Sequence, residues 1–353
     1  MGDMAHSAEV DIQAIRREFY DRIGQQNMSP LWESLHALVL KQPASPAVPH
    51  LWAYDDMARD LLMEAGRLIT AHEAERRVLI LENPGMKGSA SITRSLYAGL
   101  QLILPGDMAP AHRHTQNALR FIVEGEKAYT AVNGERTLMH PGDLVLTPSW
   151  HWHDHGNETD QPMIWLDALD IPTVAFFDSS FAETGNDAVQ AIERPTGDSD
   201  RRFGNNLAPV DWQPATRSSP IFNYPYARTR DTLEAMAQAD APDVCHGHKL
   251  RYVNPSSGGH VTPTMAAFMQ LLPDGFASQP YRSTDGTVFS VVEGEGESII
   301  GGHIFHWKPR DVFIVPSWTD VTHRAKQRAV LFSFSDRSAQ EALGLWREQR
   351  DRA

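Results

Sequence analysis

A single cysteine, Cys245, stands among 353 residues. No disulfide can form within the chain, and no thiolate zinc finger or iron–sulfur cluster can be built from it. Any metal held here takes nitrogen and oxygen ligands. Positive charge is also scarce: 32 Lys and Arg face 45 Asp and Glu, for a net charge of −13. That balance repels phosphate backbones, no local basic stripe reverses it, and nucleic acid is excluded as the expected partner. Long apolar runs are missing as well, none approaching the ~20 residues of a membrane span. Residues 1–20 alternate charges with single apolar residues, which is not the pattern of a secretory signal. The expected compartment is the cytoplasm. The remainder, 41% hydrophobic and 22% charged, can form a large core. At ~150 residues per domain the length predicts about two domains.

Periodicity divides the chain. Ile12, Ile15, Phe19 and Ile23 recur at helical spacing, as do Trp32, Leu35, Leu38 and Val39, and then Met57, Leu61, Leu62 and Ala65. The reading is a helical arm over 1–75. From Arg76 onward, short apolar segments separated by Asn-Gly, Pro-Gly and Gly-Gly pairs signal an antiparallel β domain over 76–177. Residues 178–250 read as a polar connection with little regular structure, and 251–337 as a second β domain. Ser338 with Glu341 has the capping-box spacing, which predicts a C-terminal helix over 338–353.

The two β domains repeat one another. Asn83-Pro84 answers Asn254-Pro255, and Leu104-Pro105 answers Leu272-Pro273. Val123-Glu124-Gly125-Glu126 answers Val292-Glu293-Gly294-Glu295, and Pro148-Ser149-Trp150 answers Pro316-Ser317-Trp318. The offsets are 171, 168, 169 and 168. Four matches in one order point to a duplicated domain.

The chemistry gathers in the first copy, where six of the sixteen histidines lie between positions 112 and 155. His112 and His114 are two apart, so on a strand they share a face, and His153 can return on a neighbouring strand as a third ligand. Three imidazoles leave positions open on an octahedral ion. A lone His-x-His is most often two solvent-facing histidines; the third histidine and the surrounding glycines favour a metal. His151 competes with His153 for the third place, but the distance from Gly142 favours His153. Cys245-His246-Gly247-His248 repeats the spacing without that context and reads as a loop.

Gly106, His112-Arg113-His114, Ala118 and Gly125 resemble the first cupin motif, with Ala118 where a Glu is usual. Gly142, Pro148, Trp150, His153 and Asn157 resemble the second, with Trp150 in place of the usual Gly. The resemblance implies a mainly β bicupin fold: two double-stranded β-helix (jelly-roll) barrels behind an N-terminal helical region. The repeat maps His112, His114 and His153 onto Tyr281, Ser283 and Val321, whereas His155 maps onto His323. One metal per chain is therefore expected, the second barrel being metal-free. Longer segments resemble the gentisate 1,2-dioxygenase family, with its salicylate and 1-hydroxy-2-naphthoate relatives. They include Pro46–Trp52, Glu75-Arg76-Arg77, His112–Arg120, Asp160–Met163 and Leu169–Pro172. That family implies Fe(II), one per chain, cleavage of a hydroxylated aromatic acid by dioxygen, and a homotetramer.

A carboxylate entering an acidic protein needs local cations, and Arg120, six residues past His114, is the first choice, with Arg76 second. His155 shares the strand face of His153 and could exchange a proton with substrate, although His323 in the metal-free copy argues for a structural histidine. By the resemblance, Tyr97, Gln101 and Asp167 line the pocket, and His155 and Asp167 are the catalytic candidates. Tyr97 stands where the salicylate-cleaving relative has Trp, which favours gentisate. A zinc or manganese cupin isomerase would more often need Glu near position 118, and a storage role fits poorly with ligands kept in one copy and lost in the other.

Overall fold

The computed structural model describes residues 2–350, with side chains from Ile12 onward. The chain divides into an N-terminal unit ending at Ala44 and a main unit beginning at Ser45. The N-terminal unit holds the helices Gly2–Gln25 and Leu31–Leu38, joined through Tyr20, whose hydroxyl donates to Glu33 and accepts from the Trp32 indole. Its apolar stripes are exposed within the chain: Ile15 is 63% and Leu38 67% accessible.

The main unit is two barrels of the same plan, each a large sheet facing a small one. In the first, the large sheet runs in the order 223–224, 144–147, 118–124, 163–169, 97–103, 77–80; the small one runs 182–184, 108–114, 153–156, 129–132, 135–138. In the second, the large sheet runs 50–52, 312–315, 287–293, 329–335, 266–272, 248–251, and the small one 348–350, 281–283, 321–325, 296–300, 303–307. This is the mainly β bicupin architecture that the cupin resemblance implies. The large sheets pack back to back through one continuous apolar cluster, in which Phe121 and Phe332 stack at 4.0 Å with planes 1° apart. Alternation sends the opposite face of each strand into its own barrel, around Trp165 in the first and Phe289 with Phe313 in the second. No helix among the described residues is long and apolar enough to cross a membrane.

The structure departs from the sequence reading in four places. The arm 1–75 is not all helical: His50–Trp52 is an edge strand of the second barrel's large sheet. The third helix buries Tyr54, Ala58 and Leu62 and leaves Met57 and Leu61 exposed, because a wide first turn, with Ala58 N bonding to Ala53 O at 3.1 Å, shifts the phase of the stripe. The connection 178–250 carries two edge strands of the first barrel, the helices Asp198–Phe203 and Tyr226–Ala239, and the strand His248–Arg251. The longer helix buries only Leu233, so its sequence shows no apolar period, and an Arg230–Glu234 ion pair one turn apart supports it. At the C-terminus the helix is only Arg337–Ala342 and gives way to the strand Glu348–Arg350. Ser338 lies inside that helix, donating to the Thr262 and Pro263 carbonyls, and Glu341 binds Arg337 and His260, so neither group caps.

Candidate metal centre

The strands Met108–His114 and His153–Gly156 pair so that His112 faces His153 across the ladder, after a register shift between Ala109 and His112. His114 projects from the same face as His112. The result is a compact buried group: the ligand atoms of His112, His114 and His153 all lie within 4.8 Å of one another. It is the one such group of three among the described residues.

Backbone carbonyls fix the tautomer of each ring. His112 Nδ1 sits 2.8 Å from Pro110 O, His114 Nδ1 3.0 Å from Gln116 O, and His153 Nδ1 2.9 Å from His151 O. A carbonyl only accepts, so each Nδ1 carries the proton and each Nε2 presents its lone pair. His153 Nε2 is buried with no hydrogen-bond partner, so its lone pair is free to bind a cation. Burial, reinforced by nearby Arg charges, holds His112 down to about 3 and His114 to about 4, and pushes His153 well down, so all three are neutral. Neutral imidazole is the ligating form. Ala118, fully buried, adds no carboxylate to the group.

The turn that delivers His153 explains the tryptophan in the second motif. Trp150 has φ of 63°, the left-handed conformation that favours glycine. It is held there by Trp150 N donating to His114 O at 2.8 Å and by the Arg113 guanidinium stacked 4.4 Å from the indole.

Beside the triad lies a buried ion pair. Arg120 is 4% exposed, with Nε 3.5 Å from Asp167 and Nη1 donating to Thr147. Asp167 also accepts from the Trp165 indole at 3.0 Å. Burial lifts Asp167 to about 6 against the pull of Arg120, and lowers Arg120 to about 10. Arg76, an exposed residue, is close enough for its charge to act on Asp167 and His112. Tyr97 is half-buried; its hydroxyl overlies Gly99, where a Cβ would come within 2.9 Å of it. Gln101, 3% exposed, faces Trp165 across the ladder. His155 is fully buried, bonds Thr130 through Nδ1 at 2.9 Å, and leaves Nε2 unpartnered. His151 points away toward Phe222, with Nδ1 donating to Ser149 O at 3.0 Å. Of the other His-x-His, His248 opens a strand instead of standing in a loop.

One cluster escaped the sequence reading. Asp170, fully buried, accepts from Asn117 N at 2.9 Å, from Asn117 Nδ2 at 3.0 Å, and from the Thr264 hydroxyl of the second barrel. Asn117 Oδ1 in turn accepts from Ser149 N at 3.1 Å and from Ser218 Oγ at 2.8 Å. The network ties the loops after His114 and before His153 together. The repeat offers the sequence signal, because Asp170 answers Asp336 and Thr264 answers Ser95, which donates to Asp336 at 2.7 Å.

Comparison with known proteins agrees with this geometry. Residues 99–169 match the Cupin domain family. The chain is 57% identical to gentisate 1,2-dioxygenase 1 of Aquipseudomonas alcaligenes over 95% of its length and 96% of that protein. It is 37% identical to a gentisate 1,2-dioxygenase of Streptomyces sp, over 94% of this chain and 95% of the relative. The crystal structure of salicylate 1,2-dioxygenase from Pseudaminobacter salicylatoxidans superimposes with a TM-score of 0.89 at 37% identity, covering 95% of this chain and 97% of that one. A duplicated barrel with one buried three-histidine centre, matched over nearly the whole chain, makes this protein a member of the gentisate 1,2-dioxygenase family of bicupin dioxygenases.

Proposed function

We propose that this dioxygenase acts on gentisate (2,5-dihydroxybenzoate), opening the ring between the carboxyl-bearing and adjacent hydroxyl-bearing carbons to give maleylpyruvate. The observation that carries the reading is a neutral three-histidine centre set beside the Arg120 guanidinium inside one barrel. Fe(II), one per chain, would be held by His112, His114 and His153; when bound, it supplies open coordination positions and redox chemistry that zinc lacks.

The remaining roles belong to the chain. Arg120, and Arg76 at the mouth, receive the substrate carboxylate, offsetting the cost of bringing an anion into a protein of net charge −13. Tyr97 and Gln101 line the ring. Asp167 holds Arg120 in place, and at about 6 its carboxyl can gain or lose a proton near neutral pH. His155, neutral and with a free Nε2, is the candidate for proton exchange with the ring hydroxyl. The gentisate para hydroxyl donates electrons to the ring, and Tyr97 in place of a bulkier indole leaves room for it. The exposed apolar stripes of the N-terminal unit, Ile15 and Leu38 among them, are surfaces that a homotetramer would cover. A reducing cytoplasm suits the lone buried cysteine.

The test is an anaerobic, iron-loaded preparation mixed separately with gentisate, salicylate and 1-hydroxy-2-naphthoate, then exposed to oxygen. Fastest appearance of an absorbing ring-opened product from gentisate is expected; faster cleavage of either other acid overturns the substrate assignment. Light scattering giving a mass other than four chains removes the tetramer.

A further inference from the structure

The second barrel has lost the triad and gained a cation. Ladder pairing matches the two interiors residue by residue: Val78 opposite Gln101 corresponds to Lys249 opposite Gln270, and Arg120 opposite Asp167 corresponds to Phe289 opposite Ser333. The buried charge has therefore moved from a central strand to an edge strand, and it has lost its carboxylate. Lys249 Nζ lies 4.9 Å from the centre of the Phe268 ring and 5.9 Å from that of Phe289, with no hydrogen bond or ion pair among the described residues. Burial brings it down to about 8, so it still carries its charge at neutral pH. Across the ladder, Gln270 is 1% exposed with both amide atoms unpartnered, and the Ser333 hydroxyl is likewise buried and unpaired. Groups of this kind are costly unless something binds them.

A cavity of about 520 Å³ opens onto Lys249 and Phe268, with Tyr281, Asp285, Arg337 and Arg350 among its other walls, whereas Phe289 lies behind Lys249 on a narrow pocket of about 20 Å³. Most of its charges are committed. Arg350 pairs with Asp243 at 2.8 Å, Arg337 with Glu341 at 2.7 Å, and Asp285 accepts the Trp346 indole at 2.9 Å. Arg251 donates to Gly258 O at 3.1 Å, and Lys249 is the cation with neither hydrogen bond nor ion pair among the described residues of the cavity. One ammonium flanked by two phenyl rings, with the Asp285 carboxylate nearby, suits a monoanion carrying an apolar body and disfavours phosphate.

We infer that the metal-free barrel carries a second binding site, for a small organic carboxylate whose oxygens meet Lys249 and whose carbon skeleton lies against Phe268 and Tyr281. The site is separate from the histidine centre and stands whether or not gentisate is the substrate.

The experiment is anaerobic calorimetric titration of the full-length, iron-loaded protein with benzoate, with parallel titrations using hexanoate and inorganic phosphate. Wild type is expected to bind one more benzoate per chain than Lys249→Met, with the remaining site unchanged in affinity. Hexanoate behaving like benzoate widens the class to any apolar carboxylate; benzoate alone restricts it to aromatic acids; either outcome upholds the site. Equal stoichiometry in wild type and Lys249→Met overturns it, as does phosphate occupying the site in preference to benzoate. Should Lys249→Met fail to fold, Lys249→Gln carries the test, with at least tenfold weaker binding at this site expected and unchanged binding fatal. Gentisate turnover, recorded on the same wild-type preparation, reports on the substrate assignment alone.

Discussion

The two barrels share strand order, hairpins and even their awkward turn: Trp318 repeats the left-handed conformation of Trp150 at φ 57°, with Arg282 stacked 4.5 Å from it as Arg113 is on Trp150. They also clasp each other symmetrically, Asp170 taking Thr264 and Asp336 taking Ser95. What differs is the lining. His112, His114 and His153 become Tyr281, Ser283 and Val321, and the strand pairing that sets His112 against His153 sets Tyr281 against Val321. The same backbone thus holds either a donor set or an apolar and phenolic wall. Chemistry in this fold resides in a handful of inward side chains, and the scaffold survives their loss because its large sheets gain their stability from burial against each other.

The largest effect follows from that contrast. Replacing any one of His112, His114 or His153 by Ala should remove both metal and turnover, while Tyr281→Ala should leave one iron per chain. Elemental analysis after ferrous reconstitution checks both halves. Two irons in wild type would erase the distinction between the barrels.

The next effect concerns the cation of the first barrel, which Phe289 replaces in the second. Arg120→Ala should keep iron and lose roughly 10- to 100-fold in kcat/KM, the scale of ~1.5–3 kcal/mol for a charge-assisted pair. A mutant with wild-type efficiency, or one that loses iron, would make Arg120 structural.

Much of this was legible in the sequence, and the reason lies in period. Duplicated turn motifs at nearly constant offset expose a repeat even where the intervening residues differ, and His-x-His on a strand needs no tertiary information to share a face. The misreadings fall where local pattern and tertiary role part. His50–Trp52 is too short to show alternation and becomes a strand only against Val312–Ile314. The helix Tyr226–Ala239 has a polar texture because it buries a single leucine. Ser338 and Glu341 have capping chemistry but spend it on Thr262, Pro263, Arg337 and His260. Asp170 was present in a recognised segment, yet its role depends on Thr264, 94 residues away.

A smaller effect should appear as a pH dependence confined to the first barrel. Burial raises Asp167 to about 6, above its ordinary value near 3.9. For a carboxyl raised in the folded state, the stabilising contribution is complete below the unfolded value and is lost as pH rises through about 6. Asp167→Asn should therefore flatten this part of the stability profile between about pH 4 and 6 and remove a limb near pH 6 from kcat/KM, changing efficiency a few-fold at neutral pH. Ser333, its counterpart, cannot titrate, so Ser333→Ala should leave both profiles alone. A limb near pH 6 that persists in Asp167→Asn would assign it to another group.

The finest distinction is between His155 and His323, which the two barrels hold in nearly the same way. His155 Nδ1 meets the Thr130 hydroxyl at 2.9 Å, and His323 Nδ1 meets the Ser298 hydroxyl at 2.8 Å. Both rings are buried and both are kept neutral chiefly by that burial. Their structural contributions should then be alike, and His155→Ala and His323→Ala should each cost on the order of 1–3 kcal/mol of stability for the buried hydrogen bond lost, read as similar falls in melting temperature. Only His155 neighbours the metal ligands, its ring centre 5.7 Å from that of His153. His155→Ala should retain about one iron per chain and still bind the aromatic acid, yet turn over several-fold more slowly per folded molecule and with an altered pH profile; His323→Ala should turn over normally. Iron content, melting temperature and the pH dependence of turnover, measured on the same preparations, separate the two contributions. Equal turnover in the two variants would leave His155 as a packing residue that the duplication preserved, and would move proton exchange to Asp167 or to solvent.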